Sequence, residues 1–255
     1  TPSASPTSCA AVMMTSVGGI GPTTADRLEG FHIIGGKGYF WSTAPNTAVG
    51  GGIMVWGNSS PTITRNEIVG NTITGSGTTS FYGGGIYVDS NISGGLPAAR
   101  PVITQNLIDG NVANPGAGTS SQYTYGVGGG IYSGFDAAPT IDGNTIKNGR
   151  AGNTVSAHQT SWGGGIAMYG GAAAGTTVVS RNMITNNIAA ERRGGVQIAG
   201  QDSGSGVENA VGRFENNSIN SNRHVEVMII VTIMKFLNIM MFLIRFLLGQ
   251  TVDMR

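Results

Sequence analysis

Gly50-Gly51-Gly52-Ile53 opens a pattern that returns as Gly83–Ile86, Gly128–Ile131 and Gly163–Ile166, with a worn copy at Arg193–Val196. The triplets begin 33, 45 and 35 residues apart. A fixed motif on an irregular period marks a solenoid, in which each repeat stacks on the last while the loops between vary. A second signature follows each triplet: an apolar residue, two variable residues and Asn. Its copies are Ile63–Asn66, Ile103–Asn106, Ile141–Asn144, Val179–Asn182 and Phe214–Asn217. Two residues beyond each Asn stands an Ile: Ile68, Ile108, Ile146, Ile184 or Ile219.

These positions define three columns of inward residues, stacked at about 4.8 Å per rung. The first runs Ile53, Ile86, Ile131, Ile166, Val196. The second and third begin at Ile63 and Ile68. Each buried Ile contributes about 1.5–3 kcal/mol, so fifteen such positions make a sufficient core. A helical reading fails, because no 3.6-residue period is present and runs of glycine disfavour helix. The repeats therefore predict an all-β parallel solenoid of about six rungs.

The motif Asn residues are expected at corners, where Asn tolerates left-handed geometry and its amide can bond the neighbouring rungs in a ladder. A second Asn follows five residues on, at Asn71, Asn111, Asn187 and Asn222, with Gly149 in that place once. The triplets are expected to bend the chain into the next strand. They do not form a phosphate loop, since no Gly-Lys-Ser/Thr is present and no helix is predicted after them. Upstream, Leu28 to Gly36 reads as a first, atypical rung, with His32 facing outward.

Of 255 residues, 43 are Gly and only 11% are charged, for a net charge of +1. That excludes the clustered Lys and Arg of a nucleic-acid surface. The single Cys9 can form no internal disulfide, and no Cys/His cluster is present for zinc. Residues 1–15 are Pro/Ser/Thr-rich and read as an N-terminal segment, before the solenoid at 16–223. Opening at Thr1 rather than Met points to a fragment or a processed product.

The tail, 224–255, changes character. Between Val225 and Leu248 the chain is rich in Met, Ile, Leu and Phe, interrupted by Lys235, Asn238 and Arg245. Three readings stand: a helix capping the open end of the solenoid, a membrane anchor through 225–248, or sequence that is not native to this protein. A span would place Lys235 near its middle, at about 2.5–3.5 kcal/mol.

The pattern Gly-Gly-Gly-Ile followed by Pro-Thr-Ile-x-x-Asn-x-Ile-x-x-Asn resembles the right-handed parallel β-helix proteins of the pectin-lyase-like superfamily. It is also similar to the repeats of polymorphic outer-membrane proteins and related adhesins, whose Phe-x-x-Asn is matched by Phe214–Asn217. The resemblance spans about Gly30 to Arg223. It implies a right-handed coil, a place outside the cell or at its surface, with the outer membrane included, and either surface recognition or action on a polysaccharide.

Chemistry-bearing residues are sparse. Asp89 and Asp136 follow successive triplets; if they converge they could bind Ca2+ or act as an acid/base pair. As isolated residues they would be solvated turn aspartates. His158 stands near Trp162 and is the best-placed histidine for proton transfer. Aromatic residues gather just before the triplets: Trp41, then Phe81 and Tyr82, then Tyr123 and Tyr125, then Trp162. In loops at one corner of successive rungs they would line one edge, suited to stacking on sugar rings. The alternative is that each ring folds over its own loop. Thr-x-Thr pairs such as Thr62/Thr64 do not persist into later rungs, which excludes a flat ice-binding array.

The reading is a β-helix that binds a polysaccharide or surface glycan, with no cofactor required. Its alternatives are a polysaccharide lyase or glycoside hydrolase, with Asp89, Asp136 and His158 as first candidates, and a passive structural rod.

Overall fold

The computed structural model describes residues 9–41, 47–73, 80–91, 95–114, 124–134, 136–152, 159–169, 175–190, 193–199, 201–202, 207–208 and 212–224. They form a parallel β-solenoid with three principal faces, each a sheet of six strands. The first face stacks Val12–Thr15, Ile53–Trp56, Ile86–Asp89, Ile131–Ser133, Ile166–Met168 and Val196–Ile198. The second runs from Arg27–Glu29 through Thr62–Thr64, Val102–Thr104, Thr140–Asp142 and Thr177–Ser180 to Gly212–Glu215. The third runs from His32–Ile33 through Glu67–Val69, Leu107–Asp109, Thr145–Lys147 and Met183–Thr185 to Ser218–Asn220.

The three columns hold in register. Ile53, Ile86, Ile131, Ile166 and Val196 pair in succession, as do the columns that begin at Ile63 and Ile68. Their interior members are buried; Val196 and Phe214 are half-buried and Ile219 is exposed, because no described rung covers them. Only four turns carry the intact triplet. The outermost strands of each face come from a first turn that lacks it and a last turn where it is worn. The solenoid thus has roughly four regular turns, fewer than the six expected. Val12–Thr15, which extends the first face, lies upstream of the boundary drawn at residue 16. No helix occurs among the described residues, none of which forms a helix long and apolar enough to cross a membrane. The apolar run 225–248, and with it the three readings of the tail, lies outside the described residues.

The asparagines form two hydrogen-bonded ladders inside the corners. Asn66 Nδ2 donates to Asn106 Oδ1 at 3.1 Å, and Asn106, Asn144 and Asn182 each donate to the next at 3.0 Å. A second ladder links Asn71 to Asn111 and Asn187 to Asn222, both at 3.0 Å. Gly149 interrupts it, offering only its backbone N–H to Asn187 Oδ1.

The left-handed residue at these corners is not the ladder Asn but the one before it. Arg65, Gln105, Arg181 and Asn216 have φ of 53–56°, and Gly143 has φ 63°. The second ladder repeats this with Gly70, Gly110, Asn148, Asn186 and Ser221. Asn keeps ordinary backbone geometry so that its side chain can turn inward. The preceding residue absorbs the bend, at about 1–2 kcal/mol where it is neither Gly nor Asn.

The three glycines of each triplet do different work. The first is left-handed, with φ of 60–69° across the four copies. The worn copy keeps that geometry with Arg193 at φ 52°. The second and third lie so close to the next rung that a Cβ would collide with its glycine carbonyls. In the intact copies the first glycine is crowded too, since a Cβ on Gly83, Gly128 or Gly163 would meet the carbonyl oxygen of the Ile that closes its own tetrapeptide. Only the worn copy carries Arg at this place, while Gly194 and Gly195 remain.

Candidate functional site

Among the described residues, the aromatic residues before the triplets lie on strands, not in loops. Tyr39–Trp41 runs antiparallel to Thr47–Val49, which begins a parallel stack with Ser80–Tyr82, Thr124–Val127 and Gln159–Trp162. Strand alternation sends neighbours to opposite sides. Tyr82 and Trp162 share an outer column with Val49 and Val127. Phe81 instead points inward beside Ala48, Ile73 and Ala113, only 3% exposed. It is a core residue and cannot contact a ligand, contrary to expectation.

Just past each triplet lies a second column of large side chains, Met54, Tyr87 and Tyr132, followed by Ala167. The glycine corner folds the two columns together. The ring of Tyr82 lies 4.8 Å from that of Tyr132, which stacks on Tyr87 at 5.3 Å with planes 5° apart. Tyr169 packs against Tyr132 at 5.8 Å and against Trp162 at 5.9 Å. Offset and tilted pairs of this kind contribute about 0.5–1.5 kcal/mol beyond the area they bury.

Between the columns opens a cleft of about 290 Å³ lined by Ser80, Tyr82, Tyr125, Tyr132, Trp162 and Tyr169. Tyr125 is the most open of the rings, 37% exposed. The indole Nε1 of Trp162 is buried and finds no acceptor among the described residues. Burial raises the pKa of the Tyr82, Tyr132 and Tyr169 hydroxyls, so they stay neutral. The site is thus a small ring-walled hollow with a few hydroxyl groups, the composition of a small-ligand pocket.

Of the residues expected to bind, Tyr82, Tyr125 and Trp162 meet in this cleft. The side chain of Trp41 and the whole of Tyr123 and His158 lie outside the described residues. Tyr132 and Tyr169 are additions that the sequence signalled only weakly. Ile-Tyr occurs directly after two triplets, at 86–87 and 131–132, and alternation from a buried Ile places each Tyr on the outer side.

Asp89 and Asp136 do come together across adjacent turns. Asp89 Oδ1 accepts from the backbone N–H of Ser90 at 2.9 Å and of Asp136 at 3.2 Å; its Oδ2 accepts from the Tyr87 hydroxyl at 3.1 Å. Its carboxyl lies over Gly134, where any Cβ would strike it. Desolvation raises the Asp89 pKa to about 7, with the Asp136 charge adding to the rise against those three hydrogen bonds. No group of three or more His, Cys, Asp or Glu suited to a metal is present among the described residues. His32, as expected, faces outward and pairs with Glu67 at 3.2 Å.

No family model, curated protein or solved structure matches the chain.

Proposed function

We propose that this β-solenoid is a carbohydrate-recognition protein acting outside the cell or at its surface, with a glycan seated in the aromatic cleft. The observation that carries the reading is the convergence of Tyr82, Tyr125, Tyr132, Trp162 and Tyr169 on one hollow of about 290 Å³. Sugar rings present apolar C–H faces and peripheral hydroxyls. Aromatic walls match the faces, and the hydroxyls of Tyr82, Tyr125 and Ser80 match the rim. A cleft at the small end of the usual 300–1,000 Å³ range suits one or two sugar rings. Kinship with right-handed pectin-lyase-like or adhesin repeats accords with this reading.

Polysaccharide cleavage is the second reading, and Asp89 favours it: a carboxyl with a pKa of about 7 can hold a proton near neutrality. Against it, both Asp89 oxygens face donors of the protein itself.

A glycan array probed with the full chain, followed by product analysis of each hit, separates these readings. Recognition requires hits that weaken at least tenfold in Tyr125→Ala/Trp162→Ala and yield no product. Cleavage that vanishes in Asp89→Asn would establish the enzyme instead. A folded protein that binds nothing would leave a structural rod.

A further inference from the structure

Charge is distributed unevenly around this solenoid. The ion pairs Arg65–Glu29, Arg181–Asp142, Arg213–Glu215, Lys147–Asp109 and His32–Glu67 all sit on strands and corners of the second and third faces. Among the described residues none sits at the cleft, whose six lining residues include no Asp, Glu, Lys or Arg. In the sequence, the stretches leading into its strands, 74–79, 115–123 and 153–158, contain none either, His158 being their one residue able to carry positive charge. The nearest acid by connection is Asp89, reached through Tyr87, which stacks on Tyr132. Among the described cations, Arg193 acts on a lining residue: its charge is felt at Tyr169, while its Nη1 donates to Gln197 Oε1 at 2.7 Å.

We propose that the cleft selects uncharged sugars and rejects uronates and other acidic glycans. This rests on the carbohydrate reading above and narrows it. A carboxylate brought among these rings loses water and meets no lining cation, and a buried charge without a partner is costly. A sugar hydroxyl or acetamido group, by contrast, exchanges water for the Tyr82 and Tyr125 hydroxyls and Ser80 Oγ at little net cost. Aromatic walls supply affinity without sign. The lack of a Lys or Arg among the described lining residues supplies the discrimination.

The test uses the full chain at pH 7 and two oligosaccharides of one length and linkage, hexagalacturonate and its carboxyl-reduced, neutral form, with cellohexaose and mannohexaose as further neutral probes. Binding is read from tryptophan fluorescence and calorimetry. We expect the neutral form, or another neutral hexamer, to bind at least about tenfold more tightly than hexagalacturonate. That binding should fall at least tenfold in Tyr125→Ala, whose exposed ring leaves the fold intact by circular dichroism. Equal or tighter binding of hexagalacturonate, lost in the same variant, would overturn the selectivity and leave the carbohydrate reading standing. Binding indifferent to both Tyr125→Ala and Trp162→Ala, or no binding of any probe, would overturn both.

Discussion

Asn144 donates its amide to Asn182 Oδ1 at 3.0 Å and, in the opposite direction along the axis, to the carbonyl of Ile103 at 2.9 Å. Its own Oδ1 receives both the backbone N–H and the amide of Asn106. One buried side chain thus ties three successive turns. Asn144→Ala would strand the backbone N–H and one amide N–H of Asn106 in a dry corner. At about 1–3 kcal/mol for each buried unsatisfied group, we expect a loss of about 3 kcal/mol or more. Asn217→Ala, at the half-buried last rung, should cost less than half as much. Urea unfolding of both variants checks this; equal losses would mean the ladder is not cumulative.

Glycine substitutions should divide by role. At Gly129 a Cβ would lie 2.5 Å from the Gly164 carbonyl oxygen and 2.5 Å from the Arg150 nitrogen, atoms that cannot move without parting the rungs. Gly129→Ala is expected to cost about 3 kcal/mol or to prevent folding. At Gly110, with φ 63°, a Cβ meets nothing within 4 Å. Gly110→Ala should cost only the left-handed penalty, about 1–2 kcal/mol. Thermal melts of the pair decide the matter, and similar losses would refute the division.

What the sequence revealed follows from what stacking repeats. Inward positions such as Ile63, Ile103 and Ile141 meet the same surroundings on every turn, so their chemistry recurs and the register can be read directly. The ladder asparagines recur for the same reason, though their backbone geometry was misassigned: the bend falls on Arg65 or Gln105, whose varied side chains conceal a shared φ. Phe81 escaped because its column neighbours, Ala48, Gly126 and Ser161, are small and irregular. One large ring fills a space that they leave, and a solitary fit of that kind carries no period. The cleft was half legible. Tyr82 and Trp162 stand beside the triplets, but their meeting with Tyr132 and Tyr169 depends on the glycine corner folding two sheets together.

Phe81 offers a direct check on that correction. Its ring packs with Ala48, Ile73 and Ala113 inside the solenoid. Phe81→Ala should cost about 3–5 kcal/mol, the usual penalty for deleting a buried ring. Tyr125→Ala, four-tenths exposed by comparison, should cost under about 1 kcal/mol. Chemical unfolding compares them. A destabilisation by Phe81→Ala no greater than by Tyr125→Ala would place the ring outside the core.

Asp89 should make stability depend on pH in a defined window. Its pKa is about 7 in the folded chain against 3.8 as the ordinary value, so the folded state holds a proton that the unfolded state releases. Protonation therefore favours folding: the contribution is fully present below about pH 4, declines as pH rises and is gone above about pH 7. Asp89→Asn keeps an oxygen to accept from the Ser90 and Asp136 N–H groups, and its amide can donate to the Tyr87 oxygen, all without charge. The variant should gain stability over the wild type at pH 8 and little at pH 4. Subtracting the two melting profiles isolates the contribution of the Asp89 carboxyl and its coupling to Asp136. A difference that does not change between pH 4 and 8 would show that Asp89 ionises freely. If Ca2+ were the natural partner of this carboxylate and Asp136, millimolar Ca2+ at pH 8 would close the gap between wild type and variant, and EDTA would reopen it.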